Sequence, residues 1–269
     1  MTEVKNDEVR QSVRNNYKQI ALKVINTDSC CAPSSSCCGP EENQTRTVAE
    51  ISQKLGYTPE ELASIPNGAN MGLGCGNPQA IADLREGETV LDLGSGGGFD
   101  CFLAAPKVGK TGKVIGVDMT PEMVSKARAN AEKSSYTQVD FRLGEIENLP
   151  VANQTVDVIM SNCVINLSPN KQRVFEEAYR VLKVGGRLAI SDIILTTTLP
   201  EEMQQNMALY TGCISGASPL DQLTAFLETA GFKDIRITPK DDSKEFIKDW
   251  APGQNVENYI VSAIIQAVK

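Results

Sequence analysis

Eight cysteines and no histidine set the chemistry open to this 269-residue chain. Four of the thiols crowd one stretch, "DSCCAPSSSCCGPEEN", as two vicinal pairs, Cys30 with Cys31 and Cys37 with Cys38. A zinc site, a pair of disulfides, a redox relay and a trap for a soft metalloid are all consistent with such a cluster. Three more cysteines stand far apart: Cys75 in the turn "GLGCGNP", Cys163 at the end of an apolar run in "SNCV", and Cys213 in "YTGCISGAS". Free cysteine is commonly a small buried hydrophobe, and Cys101, between apolar residues in "GFDCFLAA", reads that way. Cys75 and Cys213, flanked by glycine with little apolar context, do not.

Without histidine the chain lacks the usual general base and the commonest metal ligand. Ser-His-Asp and Cys-His catalysis are excluded, as are zinc sites built on imidazole. A zinc reading of the N-terminal tract also fits poorly, because ribbons and knuckles use C-x2-C spacing whereas adjacent cysteines point apart. The net charge of -8, from 26 Lys and Arg against 34 Asp and Glu, disfavours nucleic acid and anionic membrane as partners. No apolar run reaches the roughly 18 residues of a membrane span. The charged start "MTEVKNDEVRQ" is unlike a secretory signal. A cytoplasmic chain is therefore expected, with its cysteines serving as thiols or ligands rather than structural disulfides.

The elements that must position these groups follow from periodicity. Val9, Val13, Tyr17, Ile20 and Val24 recur at three-and-four spacing, which predicts a helix docked by one face. The Cys/Ser/Pro tract has no such period and reads as a mobile loop. Thr58, Pro59 and Glu61 fit a capping box. From Thr89 onward "TVLDLG", "KVIGVDM", "VDFRLG", "VDVIMSN" and "RLAISDII" alternate with amphipathic stretches, which predicts a parallel sheet with crossover helices. Thr120 and Pro121 open one helix, and "NKQRVFEEAYRVLKVGG" is expected to end at Gly185 and Gly186. Beyond Thr198 the pattern is mostly helical, with a second capping signature from Ser218 to Asp221, before "KDIRITPK" and "NYIVSAIIQAVK" close the sheet as a hairpin. The expected division is an N-terminal helix with a Cys-rich segment over 1–68, an α/β domain over 69–198, and a helical region with closing strands over 199–269.

"VLDLGSGGGFD" ends a strand and turns through Gly94, Gly96, Gly97 and Gly98, where a ligand can approach the backbone closely. Asp118 ends the next strand, where a carboxylate can accept both hydroxyls of a ribose. A dinucleotide fingerprint would place its third glycine at Phe99, so the spacing here is different. Asn162, at the carboxyl end of a later strand, is expected near the ligand.

With "VLDLGSGGG", "VIGVDMT", "LGEIENLP" and "EAYRVLKVGGRLAISD" in order, the chain resembles the class I S-adenosylmethionine methyltransferases from about Asp83 to Ser191. That resemblance implies a Rossmann-like α/β fold, with a mostly parallel seven-stranded sheet covered by helices on both faces. It implies that Asp92, Gly94, Ser95 and Gly96 hold the methionine part of S-adenosylmethionine, Asp118 the ribose and Met119 one adenine face, with Glu145, Ile146 and Glu147 at the adenine edge. A pocket of backbone groups and carboxylates suits a sulfonium, which has no phosphate to neutralise.

"NMGLGCGNP", "SNCVINLSPNKQRVFEEAYRVLK" and "GCISGA" together resemble one branch of these enzymes, the arsenite methyltransferases, over nearly the whole chain. The branch implies that Cys75, Cys163 and Cys213 bind trivalent arsenic as three thiolates. Soft sulfur suits a soft centre, and the arsenic lone pair needs no base to act as a nucleophile. Antimony or bismuth in the trivalent state would suit the same sulfurs. The resemblance also implies that Cys30 or Cys31 forms a disulfide with Cys75 to return two electrons to arsenic, and that thioredoxin or glutathione resets it. A monomer is expected. The rival readings are a methyltransferase of a small organic or quinone acceptor, which leaves the three cysteines unexplained, and a non-catalytic metalloid-binding protein, which leaves the cofactor motifs unexplained.

Overall fold

The structure, a computed structural model, describes residues 3–26 and 47–269. Cys30, Cys31, Cys37 and Cys38 lie outside these residues, as does the side chain of Val24. Helices α1 (Glu3–Asn26), α2 (Val48–Lys54) and α3 (Pro59–Ser64) precede the sheet. An alternating run follows: β1 (Thr89–Leu93), α4 (Phe99–Val108), β2 (Lys113–Asp118), α5 (Pro121–Lys133), β3 (Val139–Leu143), β4 (Val156–Asn162), α6 (Lys171–Val181) and β5 (Leu182–Leu195). Then come α7 (Glu201–Gln204), α8 (Met207–Thr211), β6 (Ser218–Pro219), α9 (Leu220–Ala230), β7 (Lys233–Lys240), α10 (Lys244–Ile247) and β8 (Ile260–Val268).

The strands order as β3-β2-β1-β4-β5-β8-β7, with β6 pairing β5 off this path. The first five are parallel, and β8 runs antiparallel to both β5 and β7. The expected hairpin thus closes the sheet, and β7 ends it with Lys233, Arg236, Pro239 and Lys240, charged and proline residues that blunt an edge.

Alternation along each strand divides the core. Val90, Val114, Val158 and Ala189 meet Phe102, Ala105, Val124 and Ala127 of α4 and α5 on one face. Leu91, Ile115, Ile159 and Leu188 meet Val174 and Phe175 of α6 and Leu223 and Leu227 of α9 on the other. Burial on both faces explains the continuous apolar runs. Each fully buried Leu, Ile, Val or Phe contributes about 1.5–3 kcal/mol, well above the tenths that propensity supplies, so packing fixes these strands.

A third cluster lies beyond the carboxyl ends of the strands. Val9 and Val13 of α1 pack there with Leu209, Ile214, Ile247 and Val256, and with Cys75, Cys163 and Cys213. Val9, Val13 and Tyr17 of the α1 stripe therefore dock as their spacing predicts. Ion pairs hold the helix further: Arg10 to Glu147 at 3.3 Å, Arg14 to Glu145 at 3.2 Å and Lys18 to Glu122 at 3.0 Å.

Local signals were met unevenly. The capping box at Thr58 and Glu61 is present, and a second one at Thr47 and Glu50 opens α2. Thr120 is the N-cap of α5, but its hydroxyl makes no capping bond; Asp118 Oδ1 instead accepts the Thr120 N–H at 2.8 Å. Helix α6 stops at Val181 rather than at the glycines, because Val181 and Leu182 are wholly buried and Leu182 already pairs with Val156. Gly185, with φ 79, serves instead the bend into the long part of β5. Ser218 caps nothing: it is buried and pairs with Ile194 in β6, which leaves Pro219 to precede α9.

Candidate active site

Strand order reverses beside β1, which places a crevice over the carboxyl ends of β1 and β4. A cavity of about 550 Å³ lies there, lined by the turn after β1, the end of β2, the residues after β4, one side of α1, and Cys213 after α8.

One end of the cavity is made by the expected cofactor residues. Asp92, Gly94, Ser95, Gly96, Asp118, Met119, Ile146, Glu147 and Asn162 all line it; Glu145 does not, being paired with Arg10 and Arg14 of α1. Gly94 has φ 69, and a Cβ there would run into the Val164 side chain, so the turn accepts only glycine. The Ser95 hydroxyl is buried, lines the cavity and has no hydrogen-bond partner. Asp118 accepts N–H groups from Gly96 at 2.9 Å and Thr120 at 2.8 Å, which tie β2 to the glycine turn. Burial raises its carboxyl, and these bonds oppose the rise. Asp92 is pushed well above the ordinary carboxylate range by burial and then by Asp100, with the Cys101 thiol donating to it at 3.3 Å in opposition.

Among the described lining residues Asp92, Asp100, Asp118 and Glu147 face one base, Arg10, which is itself paired with Glu147. Such a wall repels phosphate and suits a cationic ligand. The orphaned Ser95 hydroxyl, the close glycine turn and the acidic lining together fit S-adenosylmethionine.

At the other end three thiols that are distant in sequence converge in an apolar cluster. The Cys75 loop is pinned on all sides: its N–H donates to Asn162 Oδ1 at 2.9 Å, and its carbonyl accepts from Ser262 Oγ at 2.8 Å. Asn162 Nδ2 donates to the Gly76 carbonyl at 2.8 Å. Glycines flank Cys75 because a Cβ on Gly74 would overlap the Asn162 amide and one on Gly76 would overlap Ser191 Oγ. Cys163 and Cys213 both adopt left-handed backbone, with φ 60 and 64. Cysteine pays for that conformation about 1–3 kcal/mol, a cost that persists only where surroundings enforce it. The Cys163 N–H bonds to the Ser191 carbonyl at 2.8 Å, which holds the residue there.

Cys163 and Cys213 line the cavity, whereas Cys75 stands behind them. Hydrogen bonding with Cys213 and Cys75, and then burial, push the Cys163 thiol well above the ordinary range. Burial pushes Cys75 up, while its hydrogen bond with Cys163 opposes the shift. Cys101, in α4, is buried against the sheet, as expected of a core residue.

Two participants escaped the sequence. Tyr57 donates to Asp100 Oδ1 at 2.9 Å and accepts from Asn162 Nδ2 at 3.0 Å, so a chain of bonds runs from the start of α4 to the Cys75 loop. Asp192 is buried within 4.8 Å of the Cys75 and Cys163 sulfurs. Its one legible signal is a carboxylate interrupting the apolar run of "RLAISDII", one residue past the register partner of Asn162.

This sheet order, with a glycine turn after β1 and an acidic end to β2, is the class I Rossmann-like methyltransferase fold, and the methyltransferase domain family matches residues 84–245. The chain is 51% identical over 270 residues to an arsenite methyltransferase of Halobacterium salinarum, covering 98% of this chain and 67% of that one. It is 36% identical over 238 residues to another from Aquipseudomonas alcaligenes, covering 85% of this chain and 63% of that one. A crystal structure of an arsenic (III) S-adenosylmethionine methyltransferase from Chlamydomonas reinhardtii is similar at TM-score 0.62 and 31% identity, over 81% of this chain and 73% of that one. The chain belongs to the arsenite methyltransferase family. It spans about two thirds of the length of these two curated relatives. Among the described residues no helix is long and apolar enough to cross a membrane.

Proposed function

We propose that this chain methylates trivalent arsenic held by the thiolates of Cys75, Cys163 and Cys213. The convergence of these cysteines, two of them in strained left-handed backbone, at one end of a cavity with acidic walls carries the reading. Each thiol that displaces a hydroxyl of arsenite sends its proton out on that hydroxyl as water. Three thiolates on a trivalent centre form a neutral complex, which an apolar cluster accommodates without a counterion.

Asp92, Ser95 and the glycine turn would hold the methionine part of S-adenosylmethionine, and Asp118 the ribose. When bound, that molecule supplies a methyl group on a sulfonium leaving group. The three thiolates would turn the arsenic lone pair toward this end of the cavity, so that proximity and orientation do most of the work. Methyl transfer would join the methyl carbon to arsenic through the arsenic lone pair and leave the electrons of the S–C bond on sulfur. Arsenic passes formally from the trivalent to the pentavalent state, so a further turnover needs two electrons.

Two thiols joining as a disulfide supply them. Cys30 or Cys31 is assigned this relay with Cys75, with thioredoxin or glutathione as the final reductant. Arsenite, S-adenosylmethionine and a thiol reductant are incubated with the protein and the arsenic species separated. Methylated arsenicals are expected, and their absence would point to an organic or quinone acceptor. Replacing Cys30 and Cys31 by Ser together is expected to allow one turnover and then a stall.

A further inference from the structure

The arsenic ligands leave one buried group unused. Asp192 is 2% exposed, beside the apolar cluster that contains the thiols, and Lys171 is the base that faces it. Three N–H donors fix its carboxylate: Ile165 N at 2.9 Å on Oδ2, with Asn166 Nδ2 at 2.9 Å and Ile193 N at 2.7 Å on Oδ1. A carboxylate has about four acceptor positions, so roughly one is left. The Cys75 sulfur, the Cys163 sulfur and a carboxylate oxygen of Asp192 all lie within 4.8 Å of one another. Cys213 lies outside this trio, its thiol turned to the Cys163 carbonyl at 2.8 Å.

We infer that Cys75, Cys163 and Asp192 form a second ligand set, selective for a borderline divalent cation of the zinc and cadmium class. Two thiolates and one carboxylate suit such an ion, which takes sulfur at about 2.3 Å and oxygen at about 2.0–2.2 Å in tetrahedral geometry. Its ligand atoms then stand about 3.5–3.8 Å apart, so closing the trio takes a contraction of no more than about 1.3 Å. The three donor N–H groups play the part of the outer hydrogen bonds that orient a metal-bound carboxylate. Binding releases the two thiol protons to solvent and involves no redox step. Trivalent arsenic and the divalent cation share Cys75 and Cys163 but differ in the third ligand, Cys213 for one and Asp192 for the other. Given the arsenic reading above, the two compete.

The test uses the full chain with Cys30, Cys31, Cys37 and Cys38 changed to Ser, so that the N-terminal thiols do not take up metal. Zinc and cadmium binding are measured by competition with a chromophoric chelator, without arsenite or methyl donor. Asp192→Asn is expected to weaken the cation at least about 10- to 100-fold and to leave arsenite binding unchanged. Cys213→Ser is expected to do the reverse. X-ray absorption at the zinc edge of the Asp192-containing protein is expected to show two sulfur and at least one oxygen ligand, a readout that does not depend on how the variants fold. An all-sulfur zinc shell, or an Asp192→Asn protein that binds zinc unchanged or loses arsenite and zinc in equal measure, would overturn the assignment. A failure of the cation arm leaves the methylation reading standing, and a failure of methylation leaves the cation arm standing.

Discussion

Cys213 Sγ donates to the backbone carbonyl of Cys163 at 2.8 Å, and both residues sit in the left-handed region. This bond joins the segment after α8 to the strand end after β4 and places two thiols on the cavity wall. Cys163 lies between the other two sulfurs in the hydrogen-bond chain, so its loss breaks the set at the centre. Cys163→Ser is expected to lower arsenic methylation by at least about 100-fold, the upper end of what loss of an outer ligand partner costs. S-Adenosylmethionine affinity, read by calorimetric titration, is expected to be unchanged. Normal methylation by the variant would rule out three-thiolate ligation.

Asn162 makes the Cys75 loop part of the sheet. Asn162→Ala strands the Cys75 N–H and the Gly76 carbonyl without their partner, a loss of about 1–3 kcal/mol for each buried group left unpaired. Urea unfolding is expected to show that loss. Asn162→Asp keeps an acceptor for the Cys75 N–H and removes the donor to Gly76, so its stability should fall between wild type and Asn162→Ala. If the two variants unfold alike, the Cys75 bond does not matter.

The sheet was legible because burial on both faces demands long apolar runs, and "TVLDLG" and "VDVIMSN" can hardly be read otherwise. The lining of the cavity was legible for a related reason: a glycine turn and a strand-ending acid act where they stand in the chain. Asp192 was hidden because its partners, Ile165 and Asn166, belong to the turn after β4 and no spacing links them to β5. Glu145, expected at the adenine edge, does not line the cavity, and its pairing with Arg10 and Arg14 exists only once α1 has docked. The ends of α6 and α9 followed burial at Leu182 and Ser218, which overrode the nearby glycine and capping patterns.

Burial raises Asp100 from 3.8 to about 6, with the Tyr57 hydroxyl opposing the shift. A carboxyl whose folded value exceeds its unfolded value contributes stability below the unfolded value and loses it as pH rises through the folded one. Ionisation of Asp100 therefore destabilises the fold by roughly 3 kcal/mol between pH 3.8 and pH 7, and by about 1.3 kcal/mol of that between pH 5 and pH 7, given about 1.4 kcal/mol per tenfold change. Asp100→Asn keeps an oxygen to accept from Tyr57 and cannot ionise. Its stability relative to wild type is expected to improve from pH 5 to pH 7 in urea unfolding, and a constant difference would contradict the ionisation.

Arsenite ligation exchanges thiol protons for water and takes up or releases none overall, so the equilibrium affinity is expected to stay flat from pH 6 to pH 8. The rate is a different matter. Thiolate is the nucleophile, and burial pushes the Cys75 thiol up, as hydrogen bonding and burial do for Cys163. Stopped-flow measurements of arsenite binding are expected to show a rate that climbs through this range, still rising where a free thiol near 8.5 would begin to level. A rate independent of pH would mean that the thiols are already ionised in the folded protein.

Helix α1 covers the cavity through Arg10, whose side chain is 20% exposed and pairs with Glu147, 9% exposed. A pair this sheltered is screened less than a surface bridge, and breaking it leaves Glu147 with the Ser168 hydroxyl as its remaining hydrogen-bond partner. Arg10→Ala is expected to weaken α1 docking by about 1–2 kcal/mol, which raises its open population roughly 5- to 30-fold. Hydrogen exchange is expected to quicken by that factor over α1 while β1 and β4 keep their protection, because local opening need not involve the sheet. Faster exchange throughout the sheet would show instead that α1 and the sheet unfold as one unit, and that Val9 and Val13 bind the helix too firmly for it to open alone.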